Sequence, residues 1–185
     1  DISFEVHAGE IVGFAGLIGS GRTELAKALF GATCPNKGEI KISNQKMKLF
    51  CHPSEAISHG LVYLSEDRKQ EGLILLLSVR ENISLPIVKK ISQNLFVKRK
   101  EEQNIVDSLI EKLKIKVFSR DQVVETLSGG NQQKVVISKL LLTNAQVFIF
   151  DEPTRGIDVG AKYEIYKIMN DLTADGKGIV FISSE

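Results

Sequence analysis

The sequence has no apolar run long enough to cross a bilayer. Its most apolar stretch, Leu73 to Leu77, falls far short of the roughly 20 residues a spanning helix needs, so no transmembrane helix is predicted. It has no signal-peptide pattern either, because Asp1 opens directly into folded-looking sequence. It lacks an excess of either charge: 24 Lys and Arg against 23 Asp and Glu give a net +1. That leaves no strong electrostatic case for nucleic acid as a partner. Cysteine is scarce. Cys34 and Cys51 make no metal-type pair and fit a reducing, cytosolic compartment. There is no internal repeat and no low-complexity tract. What is present is ordinary for a soluble globular protein: 43% hydrophobic and 25% charged residues in a chain of 185, a length that suits one domain with a real core. Both ends read as cut. Ile2, Phe4 and Val6 alternate as in a strand, and Gly178 to Glu185 is a strand running into the terminus. A piece of a longer polypeptide is expected.

Along the chain, Ile11 to Ala15 is a short apolar run that fits a buried strand. A glycine-rich turn follows, and then Leu25, Ala28 and Leu29 at helical spacing, with Gly31 as the stop. Glu39 to Ser43 and Leu61 to Leu64 read as strands. From about Val79 to Leu142 the pattern turns helical and charge-rich. Ile105, Leu109, Ile110 and Leu113 form one apolar stripe, with Glu101, Glu102, Glu111 and Lys112 mostly off it. Lys89 to Lys100 is basic without a clear period and reads as a solvated surface. Val147 to Phe150 is again a continuous apolar strand. Gly160 to Leu172 is an amphipathic helix with Ile165, Ile168, Met169 and Leu172 inward, and Gly178 to Ile182 is another buried strand. Strands alternating with helices predict a mainly parallel sheet covered by helices. The expected architecture is an α/β core from residues 1–78 and 144–185, a helical insertion at 79–143, and a small antiparallel layer from the N-terminal strands.

Three motifs carry chemistry. Gly16-Leu17-Ile18-Gly19-Ser20-Gly21-Arg22-Thr23 follows a strand and opens a helix, the context a P-loop requires. Glycines let successive amides curl toward phosphate oxygens, and the helix N-terminus behind them favours an anion. Gly16, Gly19, Ser20, Gly21, Arg22 and Thr23 are therefore the candidate phosphate cradle. Thr23 would offer its hydroxyl to Mg2+. Arg22 stands where the consensus has lysine, and a planar fork does not replace a compact point charge. A tight strand-to-helix connection would use similar glycines. The second motif, Val147 to Glu152, ends a hydrophobic strand in two acids at the carboxyl edge of a parallel sheet, where ligands bind. Asp151 would hold the metal and Glu152 would polarise the attacking water; a strand followed by a charged turn is the plainer reading. The third motif, Leu127-Ser128-Gly129-Gly130-Asn131-Gln132-Gln133, precedes a helix carrying Val136, Leu140 and Leu141. A serine and two glycines at a helix start present free amides and a hydroxyl to an anion; alternatively Ser128 is only a helix cap.

Leu127 to Lys134 resembles the signature of ATP-binding-cassette (ABC) proteins. With the P-loop before it and the Asp-Glu strand after it, the resemblance covers essentially the whole chain. Ser65 to Leu73 and Asp151 to Ala161 look like the second, C-terminal cassette of bacterial monosaccharide importers of the ribose, xylose and galactose type. The resemblance implies an ABC ATPase fold, ATP and Mg2+ as cofactors, and a peripheral place on the cytoplasmic face of the bacterial inner membrane. The implied partners are a second cassette in the same polypeptide, transmembrane permease subunits and, indirectly, a periplasmic or extracellular sugar-binding protein. Each nucleotide would lie between one cassette's P-loop and the other's signature, so Ser128, Gly129, Gly130 and Asn131 would serve the partner's ATP.

Three positions depart from the family pattern. Arg22 replaces the P-loop lysine, Glu66 stands where most cassettes have glutamine, and Ser184 stands where a switch histidine is expected. The resemblance therefore implies a local pocket that binds nucleotide but turns it over poorly. The alternative inside the family is a soluble ABC ATPase acting on nucleic acid or ribosomes; the near-neutral charge and the Glu66-Asp67-Arg68-Lys69 segment speak against it. A P-loop kinase or GTPase would lack the Leu-Ser-Gly-Gly signature. A module that binds partners and never hydrolyses remains open for this half.

Overall fold

The computed structural model describes residues 2–184 except Ile18, Asn36 and Asn44. In chain order the elements are β1 (Ile11–Ala15), α1 (Arg22–Phe30), β2 (Glu39–Ile42), β3 (Gln45–Lys48), α2 (Pro53–Ser58), β4 (Leu61–Leu64), α3 (Val79–Ser84), β5 (Ser92–Gln93), β6 (Phe96–Val97), α4 (Arg99–Lys112), α5 (Gly129–Leu141), β7 (Val147–Asp151), α6 (Val159–Ala174) and β8 (Gly178–Ser183). They fall into two compact units. One is Asp1–Leu64 with Asn144–Pro153 and Met169–Glu185; the other is Ser65–Thr143 with Thr154–Ile168.

The first unit is built on a four-stranded sheet in the order β1-β8-β7-β4. Every neighbouring pair is parallel, with Phe14 opposite Ile182, Ile149 opposite Val180 and Leu64 opposite Phe150. β4, β7 and β8 are apolar runs without polar alternation because both faces are largely covered; β1, expected to be a buried strand, instead lies at the end of the sheet with Ile11, Gly13 and Ala15 exposed. Ala26 of α1 and Ala56 of α2 pack with Leu61, Tyr63, Ile149, Val180 and Ile182 in one buried cluster. Helix α1 ends where Gly31 takes a left-handed conformation and its amide bonds Ala28 O. A side chain there would meet the His52 backbone at 2.9 Å, so Gly31 serves both the turn and a close crossing. The antiparallel layer is the β2–β3 hairpin.

A second expectation for this unit needs correction. Ile2 to Val6 alternates but forms no strand. Phe4 instead sets its ring edge against Phe14, 4.9 Å between centroids, and Val6 packs on the core. Alternation reports which side chains share a face and says nothing about a strand to pair with. Cys34 and Cys51, which make no metal-type pair, are joined in a disulfide with Cα atoms 4.3 Å apart. The close packing of the chain after α1 against the start of α2 brings them together across 17 residues of sequence.

The second unit is helical, with one two-stranded hairpin, β5–β6. Asn82 is fully buried and pins the preceding loop, accepting from Ile74 N at 2.9 Å and donating to Ile74 O at 3.0 Å and Ser78 O at 3.1 Å. The buried face of α4 is Glu102, Val106 and Leu109, continued by Leu113, whereas Ile105 and Ile110 are half-buried. Glu102, expected off the stripe, is on it because it is paired: Arg80 Nη1 donates to its Oε2 at 2.8 Å and Ser84 Oγ to its Oε1 at 2.6 Å. A buried carboxylate is tolerated when its lone pairs are so filled.

Candidate functional site

The P-loop lies at the carboxyl end of β1. Gly19 and Gly21 have φ of 82° and 86°, and a side chain on either would meet nothing within 4 Å. Glycine is needed there for the backbone turn, not for space. Gly21 is the N-cap of α1 and no side chain caps that helix end, which leaves its first amides free for an anion. The Arg22 side chain is bonded to backbone carbonyls. Its Nη1 donates to Gly16 O and, at 3.1 Å, to Ser183 O at the end of β8. The arginine thus ties the start of the loop to the neighbouring strand.

Thr23 and Asp151 come together. The pKa of Asp151 is raised chiefly by burial, offset in part by hydrogen bonds from Tyr63 and Thr23. Tyr63 Oη donates to Asp151 Oδ2 at 2.9 Å. Asp151 Oδ1 is buried and has no hydrogen-bond partner among the described residues. An orphaned buried carboxylate oxygen beside a threonine hydroxyl fits a hard divalent cation such as Mg2+, which takes oxygen ligands. Glu152 follows at φ 45°, its amide bonded to Ile182 O at 3.0 Å and its side chain partly exposed. Ser184 is exposed just beyond β8.

The signature residues form a separate constellation in the helical unit. Ser128 stands at the N-cap of α5 yet makes no capping bond with its side chain. Its exposed hydroxyl accepts from Asn131 Nδ2 at 2.9 Å, and Asn131 Oδ1 accepts from Lys116 N at 2.8 Å. Held as an acceptor on one side, the Ser128 hydroxyl keeps its own proton for another partner. Both glycines are close-approach positions. A Cβ on Gly129 would lie 2.6 Å from Arg68 Nη2, and one on Gly130 would lie 2.5 Å from Ala161 Cβ. Arg68 also donates to Arg155 O at 2.9 Å and Gly156 O at 3.4 Å. Its own pKa is lowered by burial. Glu66 is ion-paired with Arg155.

Three contributors were not singled out from sequence. Tyr63 reaches Asp151 from β4 and looked like one more apolar strand residue. Arg68 lay in a charged segment whose partners, two carbonyls 87 and 88 residues on, leave no local trace. Lys134, with its side chain only 2% exposed, pairs with Glu164 at 2.6 Å and donates to Lys114 O at 2.9 Å; it closes the signature resemblance, but nothing there pointed to a buried pair.

A glycine cradle at a helix N-terminus, an acid-ended parallel strand and a serine-glycine helix start define the ABC ATPase fold. Solved structures agree: an ATP-binding cassette in a dimeric post-hydrolysis state bound to ADP and Pi matches with a TM-score of 0.80 at 23% identity, over 98% of this chain and 78% of that one. A nucleotide-free cassette from an ABC transporter matches at 0.81 and 22% identity, over 100% of this chain and 74% of that one. A family model described as ABC transporter matches residues 1–155. The chain belongs to that family. It is 53% identical over 185 residues to the ribose import ATP-binding protein RbsA of Caldanaerobacter subterraneus. It is 49% identical over 186 residues to a putative ribose/galactose/methyl galactoside import ATP-binding protein of Albidiferax ferrireducens. Each match takes in 100% of this chain but 37% of the relative, so the chain spans little more than a third of the length of these curated relatives.

Proposed function

We propose that this chain is the second cassette of an ATPase that powers import of a monosaccharide across the bacterial inner membrane. Its own nucleotide pocket is degenerate, and its signature completes the pocket of a partner cassette in the same polypeptide. The relatives' names support sugar import. Permease subunits and an external sugar-binding protein follow as partners, and the cytoplasmic membrane face as the location. Residues 1–78 and 144–185 act as the nucleotide-binding core and 79–143 as the helical subdomain that carries the signature.

In this reading Gly16, Gly19, Ser20 and Gly21 hold the phosphates of ATP through backbone amides. Thr23 and the free Asp151 Oδ1 hold Mg2+, whose charge offsets that of the phosphates. Glu152 orients water. The observation that carries the reading is a contrast within one chain. Arg22 is turned onto the carbonyls of Gly16 and Ser183, and Glu66 is occupied by Arg155. Ser128, by comparison, keeps an exposed hydroxyl with no capping duty. Losing the lysine's placement of the γ-phosphate matters because misplacement by about 1 Å costs on the order of 100-fold.

The test is Mg-ATP binding and turnover by the isolated chain. Binding with slow hydrolysis is expected, and Arg22→Lys alone should not restore full turnover because Glu66 and Ser184 remain altered. Brisk hydrolysis by the wild-type chain would refute the degenerate pocket.

A further inference from the structure

The basic run from Lys89 to Lys100 has no part in the nucleotide chemistry, and its structure is more specific than a solvated surface. It contains the β5–β6 hairpin, with Gln93 paired to Phe96 and a two-residue turn of Asn94 and Leu95, and ends in the first residues of α4. Both turn residues have positive φ, 49° and 69°. Such a turn favours asparagine and glycine, so asparagine is expected at the first position and leucine is not at the second. Leu95 is 100% exposed and Phe96 79% exposed. The hairpin is anchored at its base. Ile91 is buried, its amide bonds Ile87 O at 3.0 Å, and its carbonyl accepts from Lys98 N at 2.9 Å. Leu85 and Val88, on the segment that leads into it, are exposed as well.

Charge surrounds this apolar tip. Lys89, Lys90, Lys98, Arg99 and Lys100 are all exposed, and residues 82–100 contain no acid. Among the described residues, only Lys98 of these five has a carboxylate within ion-pair range, Glu101 at 3.9 Å. An unfavourable turn conformation kept for an exposed leucine points to a use for that side chain. A collar of exposed cations around it, only Lys98 of them paired, selects an anionic partner with an apolar layer beneath. A lipid surface offers that combination.

We infer that the β5–β6 hairpin is a membrane-surface contact. Leu95 and Phe96 enter the headgroup region of an anionic bilayer, and the lysines and Arg99 at the base pair with lipid phosphates. The contact is independent of which nucleotide pocket turns over, so its test and that of the proposed function fail separately.

The experiment is sedimentation of the protein with phosphatidylcholine vesicles, with and without about 30% phosphatidylglycerol, an anionic lipid. Binding is expected only to the anionic vesicles. It should weaken roughly fivefold for each of Lys89, Lys90 and Lys98 changed to alanine, and weaken again in high salt. The double substitution Leu95→Ser with Phe96→Ser should abolish it. The chain contains no tryptophan, so Phe96→Trp is a single reporter whose emission should shift to the blue on anionic vesicles. Tyr163→Trp, equally placed in solvent at 72% exposure, should not shift. The Phe96→Trp emission decides the matter even if the double-serine variant folds poorly. Equal binding to neutral vesicles, an unshifted Phe96→Trp emission, or binding that appears only once a permease protein is reconstituted in the vesicles would overturn the inference.

Discussion

At the residue scale, the buried ion pair of Lys134 and Glu164 separates two costs that are often merged. The lysine side chain is 2% exposed and the glutamate side chain 41% exposed. Removing the glutamate strands a buried ammonium with only the Lys114 carbonyl, whereas removing the lysine leaves a carboxylate that water can reach. Breaking a buried pair by deleting one partner typically costs about 3–5 kcal/mol. Glu164→Gln should therefore destabilise by about 3 kcal/mol and Lys134→Met by nearer 1 kcal/mol. Urea denaturation of both variants checks the order; equal losses would mean that the pair is symmetric in solvation. Asp151 is the other residue whose chemistry depends on burial. Its identity as a candidate metal ligand was legible from an acid-ended strand, but its free Oδ1 and its contact with Tyr63 were not.

At the element scale, the start of α5 is held by glycines acting through absence. Gly130→Ala would drive a methyl to 2.5 Å from Ala161 Cβ. Overpacking of this kind costs about 1–3 kcal/mol, and Ala161→Gly in the same chain should recover most of it. A thermal-melt double-mutant cycle measures the recovery, and additive losses would contradict the contact. Helix α3 gives a pH prediction. Ser78 and Glu81 form a reciprocal capping box, and the hydrogen bonds from Ser78 hold the Glu81 carboxyl below its ordinary value. A depressed carboxyl contributes stability above the ordinary glutamate pKa and loses it as pH falls through the folded value. Glu81→Gln can still cap. It should cost about 0.5–1 kcal/mol near neutrality and flatten the decline of stability in the acid range; an unchanged acid limb in pH-dependent unfolding would rule the cap out as its source.

The same elements show how far periodicity reaches. α6 was legible because Ile165, Ile168, Met169 and Leu172 recur at helical spacing, and all four are buried. The α4 stripe was read partly wrongly because hydropathy scores Glu102 as a surface residue, while Arg80 and Ser84 satisfy it inside. The β5–β6 hairpin escaped notice because strands of two residues are too short to show a period. The P-loop and signature were legible because glycine is demanded at fixed offsets, by a left-handed turn at Gly19 and Gly21 and by close approach at Gly129 and Gly130. Their supporting shell, Arg68, Ala161 and Lys116, was not, because those contacts join positions far apart in sequence.

At the scale of the whole molecule, the sheet order β1-β8-β7-β4 gathers the P-loop, the acids Asp151 and Glu152 at the end of β7 and the end of β8 at one edge. The signature is built independently within the helical unit. Ser128→Arg would put a bulky cation on the exposed helix start. Arg22→Ala would release the tie to Gly16 and Ser183 in the pocket proposed to be slow. The direct test is therefore ATP-driven sugar uptake by the complete transporter carrying each substitution, with nucleotide binding by each variant as the folding control. Ser128→Arg should lower uptake on the order of 100-fold or more, as for loss of a preorganised donor at a developing charge, while Arg22→Ala lowers it less than about 10-fold. Equal impairment by the two substitutions, or loss of nucleotide binding in Ser128→Arg, would contradict the asymmetric-site account.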